Sequence, residues 1–357
     1  MIAHLNTALT WRGGEQQTAY LIQGLVNKKI PQLLICQPDS ELEKRITSIP
    51  KFPIKIRGEW DITAIKKIIE VIDENKVSLI HAHTAHAHSV GLLIKFFRPE
   101  LKLVVSRRVD FSIAKNFFSK LKYTSDRVDQ FLAVSNTIRN ILVRDGVNPE
   151  KVVTVYSGID LKLKKKTKPF HLRKEFGIGK AELVIGNIAA LVDHKDQKTL
   201  IKSISLLSSR IKCKLLIVGE GELEEELKQL VSDLRLESKV CFTGFRKDVD
   251  DILSILDVFV MSSKEEGLGT SVLDAMAFGL PVVITKGGGL VEMIEHEKGG
   301  LISDIKDSVR LAENLTRVLE DKQLRLEFGK YNLEAVKRFS FDNTIEKTIK
   351  VYQSLTT

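Results

Sequence analysis

Short apolar runs alternate with segments of helical periodicity along nearly the whole of this sequence. The apolar runs have the length of single buried strands, and the segments between them repeat apolar residues every three or four positions. A strand, a crossover helix and a second parallel strand form the βαβ unit, so the alternation predicts parallel sheets covered by helices.

The predicted elements fall into two groups. The first has strands at residues 2–6, 32–36, 77–81, 102–106, 130–134 and 152–156, and helices at 15–27, 61–74 and 136–145. The second has strands at 183–187, 214–218, 240–243, 258–261 and 281–285, and helices at 198–209, 223–236, 271–278 and 309–320. We expect Asp61 and Ser135 to be helix N-caps, because their side-chain oxygens can accept a backbone N–H of the first turn.

The alternation pauses at the basic, proline-ended segment KLKKKTKP of residues 162–169, which predicts a linker. A chain of 357 residues exceeds what one hydrophobic core normally serves. We therefore expect two Rossmann-like α/β domains, at residues 1–165 and 166–335, with parallel sheets facing each other across a cleft. Residues 336–357 are expected to form a helix that crosses back to the first domain. Ligands of such sheets bind at the carboxyl ends of the strands.

Positive charge is concentrated in the first predicted domain. Residues 1–165 carry 26 Lys and Arg against 16 Asp and Glu, while the whole chain has a net charge of +9. This asymmetry predicts an anionic partner: nucleic acid, phospholipid headgroups or a phosphorylated substrate. Segment 115–122, KNFFSKLK, mixes aromatic residues and lysines as do helices that rest on an anionic membrane. A core-facing phenylalanine pair with solvated lysines is the alternative.

No apolar stretch approaches the roughly 18 residues of a membrane span, and the first residues predict a strand and not a signal peptide. Cys36, Cys213 and Cys241 are widely spaced and form no CxxC pair, which indicates reduced core residues. These features predict a cytoplasmic protein. Peripheral contact with the inner face of the membrane is left open by the basic segment.

A glycine-containing loop followed by a helix, SSKEEGLGTSVLDAMAFGLPVV at residues 262–283, is the most informative segment. The N–H groups of residues 269–271 would form an anion site at the helix N-terminus. Glu266 precedes the helix and Asp274 lies one turn inside it, so one carboxylate can face a transferred sugar while the other takes paired hydroxyls such as those of a ribose. A buried loop with an acidic residue favoured by the helix dipole is the alternative.

This segment resembles the signature of the family-4 retaining glycosyltransferases, EGxGxxxxEAxxxGxPVV. The sequence keeps the first glutamate as Glu266 and departs at Asp274, where the family most often has glutamate. Other segments resemble the family in the expected order, namely the glycine loop at 12–15, the HxH strand end at 81–83, VGEG at 218–221, FTGF at 242–245 and GGGLVE at 287–292. The resemblance covers roughly residues 1–340 and implies the GT-B fold.

Lys195 occupies the position of the family's diphosphate-binding lysine, but the partner arginine five residues earlier is replaced by Ala190. Arg107 and Arg108, at the end of a predicted strand of the other domain, offer a substitute cation. Many family members have a histidine at about this position, so Arg108 departs from the family pattern, and the role expected of it rests on its positive charge. His83 is expected to contact the sugar or the acceptor, with a surface or core histidine as the alternative.

The resemblance implies a set of site residues. Catalytic roles are expected for Glu266, Lys195, Arg108 and His83. Donor contacts are expected from Gly13, Gly14, Phe245, Gly267, Leu268, Gly269, Thr270, Ser271 and Asp274. No metal is expected at His81, His83, His86 and His88, because a strand end followed by a helix scatters these side chains and no nearby cysteine or acidic ligand completes a site.

The expected activity is transfer of a sugar, with retention of configuration, from a UDP- or GDP-linked donor to a glycan or lipid-linked acceptor in cell-surface polysaccharide or lipopolysaccharide synthesis. No cofactor, metal or nucleic acid is expected to take part. A non-catalytic sugar-nucleotide-binding protein is the alternative, and hydrolysis of a nucleotide sugar would separate the two. A nicotinamide-dependent oxidoreductase is disfavoured because no GxGxxG opens a helix after the first strand.

Overall fold

The computed structural model describes residues 1–164, 167 and 169–356, which divide into two compact units. The first unit contains residues 1–158 and the last helix of the chain, and the second contains Ile159–Ser340. The predicted linker includes Lys165, Lys166 and Lys168, which lie outside the described residues.

The first unit is built on a parallel sheet that has seven strands in the described residues. They are β1 (Ile2–Asn6), β2 (Gln32–Cys36), β3 (Lys51–Pro53), β4 (Leu79–Ala82), β5 (Lys102–Arg107), β6 (Gln130–Ala133) and β7 (Val152–Thr154). Their order is β3-β2-β1-β4-β5-β6-β7. The order reverses between β1 and β4, and the carboxyl ends of these two strands are the topological switch point where such sheets bind ligands.

The second unit has a parallel sheet of six described strands. They are β8 (Leu183–Ile188), β9 (Cys213–Val218), β10 (Val240–Gly244), β11 (Val258–Met261), β12 (Val282–Thr285) and β13 (Gly300–Ser303). Their order is β10-β9-β8-β11-β12-β13, so the switch point lies between β8 and β11. The two sheets confirm the predicted Rossmann-like α/β class.

Helices connect the strands throughout the described chain. The α-helices are α1 (Gly13–Asn27), α2 (Glu41–Arg45), α3 (Ile62–Glu74), α4 (Ala85–Phe97), α5 (Phe117–Tyr123), α6 (Asn136–Arg144), α7 (Phe170–Glu175), α8 (Gln197–Ser205), α9 (Glu224–Asp233), α10 (Val249–Ile255), α11 (Thr270–Ala277), α12 (Ser308–Glu320), α13 (Lys322–Ala335) and α14 (Phe341–Thr356). Short 3₁₀ helices lie at Ile113–Lys115, Pro149–Lys151, Asp193–Lys195, Gly288–Glu292 and Val336–Phe339.

The predicted N-caps are confirmed. The carboxylate of Asp61 accepts the backbone N–H of Ala64 at 3.1 Å, and the hydroxyl of Ser135 accepts that of Ile138 at 3.2 Å. Each bond satisfies one N–H of a first helical turn, which has no partner inside the helix.

Helix α14 belongs to the first unit because it packs on α1. Ile345 and Tyr352 of α14 share a buried cluster with Leu21 and Leu25 of α1. Gly24 permits this approach, since a Cβ at that position would lie 1.9 Å from Cδ1 of Ile345. Of the helices in the described residues, none is both long and apolar enough to cross a bilayer.

Candidate active site

Lys195 and Glu266 lie at the switch point of the second sheet. Lys195 ends the 3₁₀ helix that follows β8, and Glu266 lies in the loop between β11 and α11. Their side chains form an ion pair in which the lysine is 15% exposed and the glutamate 14% exposed. Two residues 71 positions apart in sequence, each implicated by the family resemblance, are thus brought into contact.

Backbone contacts fix the loop that carries Glu266. The hydroxyl of Ser262 donates to the carbonyl oxygen of Lys195 at 3.0 Å, and the N–H of Gly289 donates to that of Glu266 at 2.8 Å. Gly287 is required here, because a Cβ would lie 2.1 Å from the carbonyl oxygen of Ser263. The loop that carries Glu266 is therefore tied to the backbone of Lys195 and of Gly289.

Helix α11 begins immediately after this loop. Its N-cap is Gly269, whose φ of 89° lies in the left-handed region and which has no side chain to accept an N–H of the first turn. Gly267 and Leu268 are buried beside it, and Thr270 and Ser271 open the first turn. The uncapped N–H groups of that turn and the positive end of the helix dipole can bind a phosphate.

Asp274 of α11 is paired with Lys164. The ammonium group of Lys164 lies 3.0 Å from Oδ1 of Asp274 and 2.8 Å from Oδ1 of Asp250. Burial raises the pKa of the Asp274 carboxyl, although the positive charge of Lys164 opposes this. The sequence contained no signal for this contact, because the lysine lies 110 positions away in a run of similar lysines.

Phe245 follows β10 at the carboxyl edge of the second sheet. Its side chain is 66% exposed, and its backbone N–H donates to the carboxylate of Glu220 at 3.1 Å. The ring therefore offers an open apolar face, as a stacking nucleobase requires.

In the first unit, Gly13 and Gly14 begin α1, and Arg108 follows β5. A Cβ added to Gly14 would lie 3.8 Å from Cδ of Arg108, so the glycine loop and the arginine are neighbours. The carboxylate of Glu15 accepts the N–H of Arg12 at 3.1 Å. Burial lowers the pKa of Arg108 to about 10, while the nearby Glu15 raises it, so the guanidinium stays charged at neutral pH.

His83 contacts Arg108 directly. One guanidinium nitrogen donates to the carbonyl oxygen of His83 at 2.9 Å, and another lies 3.3 Å from Nδ1 of its ring. On the other side, Nε2 of His83 lies 2.9 Å from Nδ1 of His4, a buried residue of β1. His4 could not be singled out from the sequence, where its only signal is a polar residue inside an apolar strand.

The contacts of His4 determine the direction of this chain of hydrogen bonds. The amide N–H of Gln32 donates to the carbonyl oxygen of Ile22 at 3.0 Å, so its oxygen accepts from Nε2 of His4 at 2.9 Å. A neutral His4 that donates from Nε2 must accept at Nδ1. His83 therefore donates from Nε2, and its Nδ1 accepts from Arg108. Burial is the main cause that lowers the pKa of His4, to about 4.

Nitrogens of His4, His81 and His83 lie within 4.8 Å of one another, as ligands of one metal ion would. However, all six nitrogens already have hydrogen-bond partners: those of His81 contact the hydroxyls of Tyr352 at 2.6 Å and Ser106 at 2.8 Å. A metal would also face the charge of Arg108. The chemistry of this cluster fits an ordered network better than a metal site.

The other residues singled out in the first unit lie apart from this network. His86 is exposed near Glu59, and His88 is buried against the rings of Tyr123 and Phe131. The side chain of Arg107 donates to the Tyr123 hydroxyl and to the carbonyl oxygen of Phe111, both at 2.8 Å. Of the two arginines proposed as a substitute cation, only Arg108 joins the network.

Models of known protein families match both units. The model described as Glycosyltransferase Family 4 matches residues 11–163, and the model described as Glycosyl transferases group 1 matches residues 170–335. The chain is 25% identical over 301 residues to N-acetyl-alpha-D-glucosaminyl L-malate synthase of Bacillus anthracis, covering 82% of this chain and 79% of that protein.

Two further proteins are similar over nearly their full length. The UDP-Gal:alpha-D-GlcNAc-diphosphoundecaprenol alpha-1,3-galactosyltransferase of Escherichia coli is 22% identical over 375 residues, covering 98% of this chain and 96% of that protein. The crystal structure of HepE from Anabaena, in complex with UDP and glucose, has a TM-score of 0.87 at 22% identity and covers 99% of each chain. This similarity shows a shared fold.

Proposed function

Since this chain belongs to the family-4 glycosyltransferases of the GT-B fold, we propose that it transfers a sugar from a nucleoside-diphosphate sugar to a glycan or lipid-linked acceptor with retention of configuration. The observation that carries the proposal is the ion pair of Lys195 and Glu266 at the switch point of the second sheet, beside the uncapped N-terminus of α11. The acceptor named for the Escherichia coli relative is lipid-linked, which supports a role in polysaccharide synthesis at the cell surface.

The reaction breaks the bond between the anomeric carbon and the diphosphate, so negative charge develops on the departing phosphate. Lys195 and the N–H groups at the start of α11 supply positive charge there, which is the electrostatic stabilisation that such a step requires. Glu266 orients the sugar hydroxyls and stabilises positive charge on the ring. Because these groups are part of the chain, the proposed reaction needs neither a metal ion nor a cofactor.

The nucleoside is proposed to lie on the second unit, with its base against Phe245 and its ribose hydroxyls at Asp274. The donor named for the Escherichia coli relative is UDP-linked, and the HepE structure contains UDP, so UDP-sugars are the first donors to test, followed by GDP-sugars. Arg108 and His83 are proposed to contact the transferred sugar or the acceptor. The hydrogen bonds from Gln32 through His4 to His83 hold the guanidinium of Arg108 in a fixed position.

A thermal-shift screen of nucleotide sugars tests the proposal, because a ligand of the folded state raises the melting temperature according to its affinity. The donor that gives the largest shift is then incubated with the protein, and release of nucleoside diphosphate is measured. Binding without any release would favour the non-catalytic alternative, which is supported by the departures from the family pattern at Asp274 and Ala190. No binding of any nucleotide sugar would contradict both.

A further inference from the structure

A basic pocket lies at the carboxyl edge of the first sheet, beside β2 and β3. It has a volume of about 320 Å³, and its lining includes Ile54, Lys55, Arg57, Asp61, Thr63 and Lys67. The lysines and the arginine are all exposed. None of them forms an ion pair within the described part of the chain, in contrast to Lys44 and Arg45, which pair with Glu41 nearby.

The single acidic residue of this pocket offsets only part of the charge of its three cations. One oxygen of Asp61 accepts the N–H of Ala64 and the other accepts that of Arg57, both at 3.1 Å. The hydrogen bond from the Arg57 N–H is the main cause that lowers the pKa of this carboxyl. Asp61 therefore caps α3, while three cations and the Thr63 hydroxyl face the pocket with an excess of positive charge.

The pocket lies at the same edge of the first sheet as His83 and Arg108. In the order β3-β2-β1-β4, three strand spacings separate β3 from β4, whose carboxyl end carries His83. At about 4.8 Å a spacing, this is roughly 14 Å. A sugar phosphate is shorter than this distance, whereas a sugar diphosphate approaches it. A ligand with its diphosphate in the pocket can therefore bring its sugar close to His83 and Arg108.

We propose that this pocket binds the phosphate or diphosphate of an anionic acceptor, an inference that rests on the proposed glycosyl transfer. Lys55, Arg57 and Lys67 bind the phosphate oxygens through charge-assisted hydrogen bonds, and Thr63 donates a further one. The diphosphate in the acceptor named for the Escherichia coli relative has this chemistry. The pocket thereby explains part of the positive charge of the first unit.

The test uses the full chain labelled at isoleucine δ1 methyl groups, with Ile54 as the reporter and inorganic pyrophosphate as the probe. We expect the Ile54 signal to move during titration. In Lys55→Ala/Arg57→Ala/Lys67→Ala the half-maximal concentration should rise at least about fivefold, as expected when charged hydrogen bonds are lost. Lys66→Ala is the matched control, because Lys66 lies on the same helix, is exposed and does not line the pocket.

An unmoved Ile54 signal, or an equal titration in the triple variant, overturns the proposal. A second arm replaces pyrophosphate with vesicles of phosphatidylglycerol and phosphatidylcholine. If the vesicles move Ile54 and pyrophosphate does not, the pocket binds lipid headgroups, and the acceptor assignment is wrong. The titration requires no turnover, so its outcome is independent of whether Lys195 and Glu266 support sugar transfer.

Discussion

Lys195 and Glu266 are positioned by separate loops, yet their charged groups meet at the carboxyl edge of one sheet. We predict that Lys195→Ala and Glu266→Ala each lower kcat for transfer at least about a hundredfold, the scale of losing one electrostatic contact to a transition state. Steady-state kinetics with the donor found by thermal shift measure this. Lys198→Ala is the control, because Lys198 pairs with Glu226 on the surface. Near-parental turnover in either site variant would contradict the assignment.

We expect Asp274 to contribute to the affinity for the donor. Lys164 contacts its Oδ1, so Oδ2 is the oxygen proposed for the ribose hydroxyls. Asp274→Asn keeps the shape but removes the charge, and should weaken binding of nucleoside diphosphate by about 1–3 kcal/mol, the range for a hydrogen bond to a charged group. Calorimetric titration with nucleoside diphosphate measures this change in affinity. In steady-state kinetics, the loss should appear mainly as a higher donor KM.

Asp250→Asn is the matched control for Asp274→Asn, because Asp250 is the other carboxylate that pairs with Lys164. If both substitutions weaken nucleotide binding equally, the effect is transmitted through Lys164 and the ribose contact is wrong. Unchanged affinity in Asp274→Asn would mean that the nucleotide is held elsewhere.

Some residues of the candidate site could be predicted from the sequence, and others could not. Glu266 and the glycines near it occupy consecutive positions of a motif, so the sequence was sufficient to single them out. His4 and Gln32 are ordinary members of two apolar strands, and only the pairing of β1 with β2 and β4 brings them to His83. A polar network inside a sheet depends on strand order, which local sequence patterns do not contain.

At the scale of elements, every predicted strand is present, but helices α4 and α13 and the edge strands β3 and β13 were not among the predicted elements. The start of α11 was expected one residue from where it is observed. The edge strand β3 was missed because it has only three residues, ends in proline and contains no fully buried side chain. The edge strand β13 of the second sheet was missed because two glycines lie at its start, before its apolar residues, and resemble a turn.

Helix α4 carries a titratable group whose burial should affect stability. Neither ring nitrogen of His88 has a hydrogen-bond partner among the described residues, and burial lowers its pKa from 6.5 to about 3, assisted by the charges of Lys122 and Arg107. The unfolded chain therefore binds a proton at a higher pH than the folded chain does. The loss of stability caused by His88 is absent well above pH 6.5 and increases as the pH falls from 6.5 towards 3.

We predict that His88→Leu reduces this acid sensitivity. At pH 5 the parent should have lost about 2 kcal/mol through His88 alone, as follows from its two pKa values. Leucine has a similar volume and does not titrate. Urea unfolding at pH 7.5 and pH 5 measures the difference between the two conditions, which should be smaller in the variant. An equal loss in both proteins would show that His88 does not titrate as described.

For the whole molecule, we predict activity without a divalent cation. The proposed positive charge at the leaving phosphate comes from Lys195 and from backbone N–H groups, and not from a cation held by carboxylates. After exhaustive treatment with EDTA, the transfer rate should therefore stay within about twofold of the rate of the untreated protein. Loss of activity that magnesium, manganese or zinc restores would contradict it.

The distribution of charge and exposed aromatic residues over the molecule predicts membrane binding. Phe117 and Phe118 of α5 are 73% and 78% exposed, and Lys120 lies on the same helix, while the side chain of Lys115 is outside the described part. Aromatic rings insert into the headgroup region and lysines attract anionic lipids, so the two effects add. The first unit should therefore bind phosphatidylglycerol vesicles more strongly than neutral phosphatidylcholine vesicles.

Sedimentation with vesicles measures this binding at increasing salt, which should weaken it because the Debye length falls from about 30 Å at 0.01 M to about 8 Å at physiological ionic strength. Phe117→Ser/Phe118→Ser should lower the bound fraction on anionic vesicles. Phe170→Ser is the matched control, because Phe170 is 77% exposed but lies on α7 of the second unit. A similar decrease in both variants would indicate non-specific adsorption of apolar surface. Equally poor binding of the parent to anionic and neutral vesicles at low salt would leave α5 as an ordinary exposed helix, and the positive charge of the first unit would then serve an anionic substrate alone.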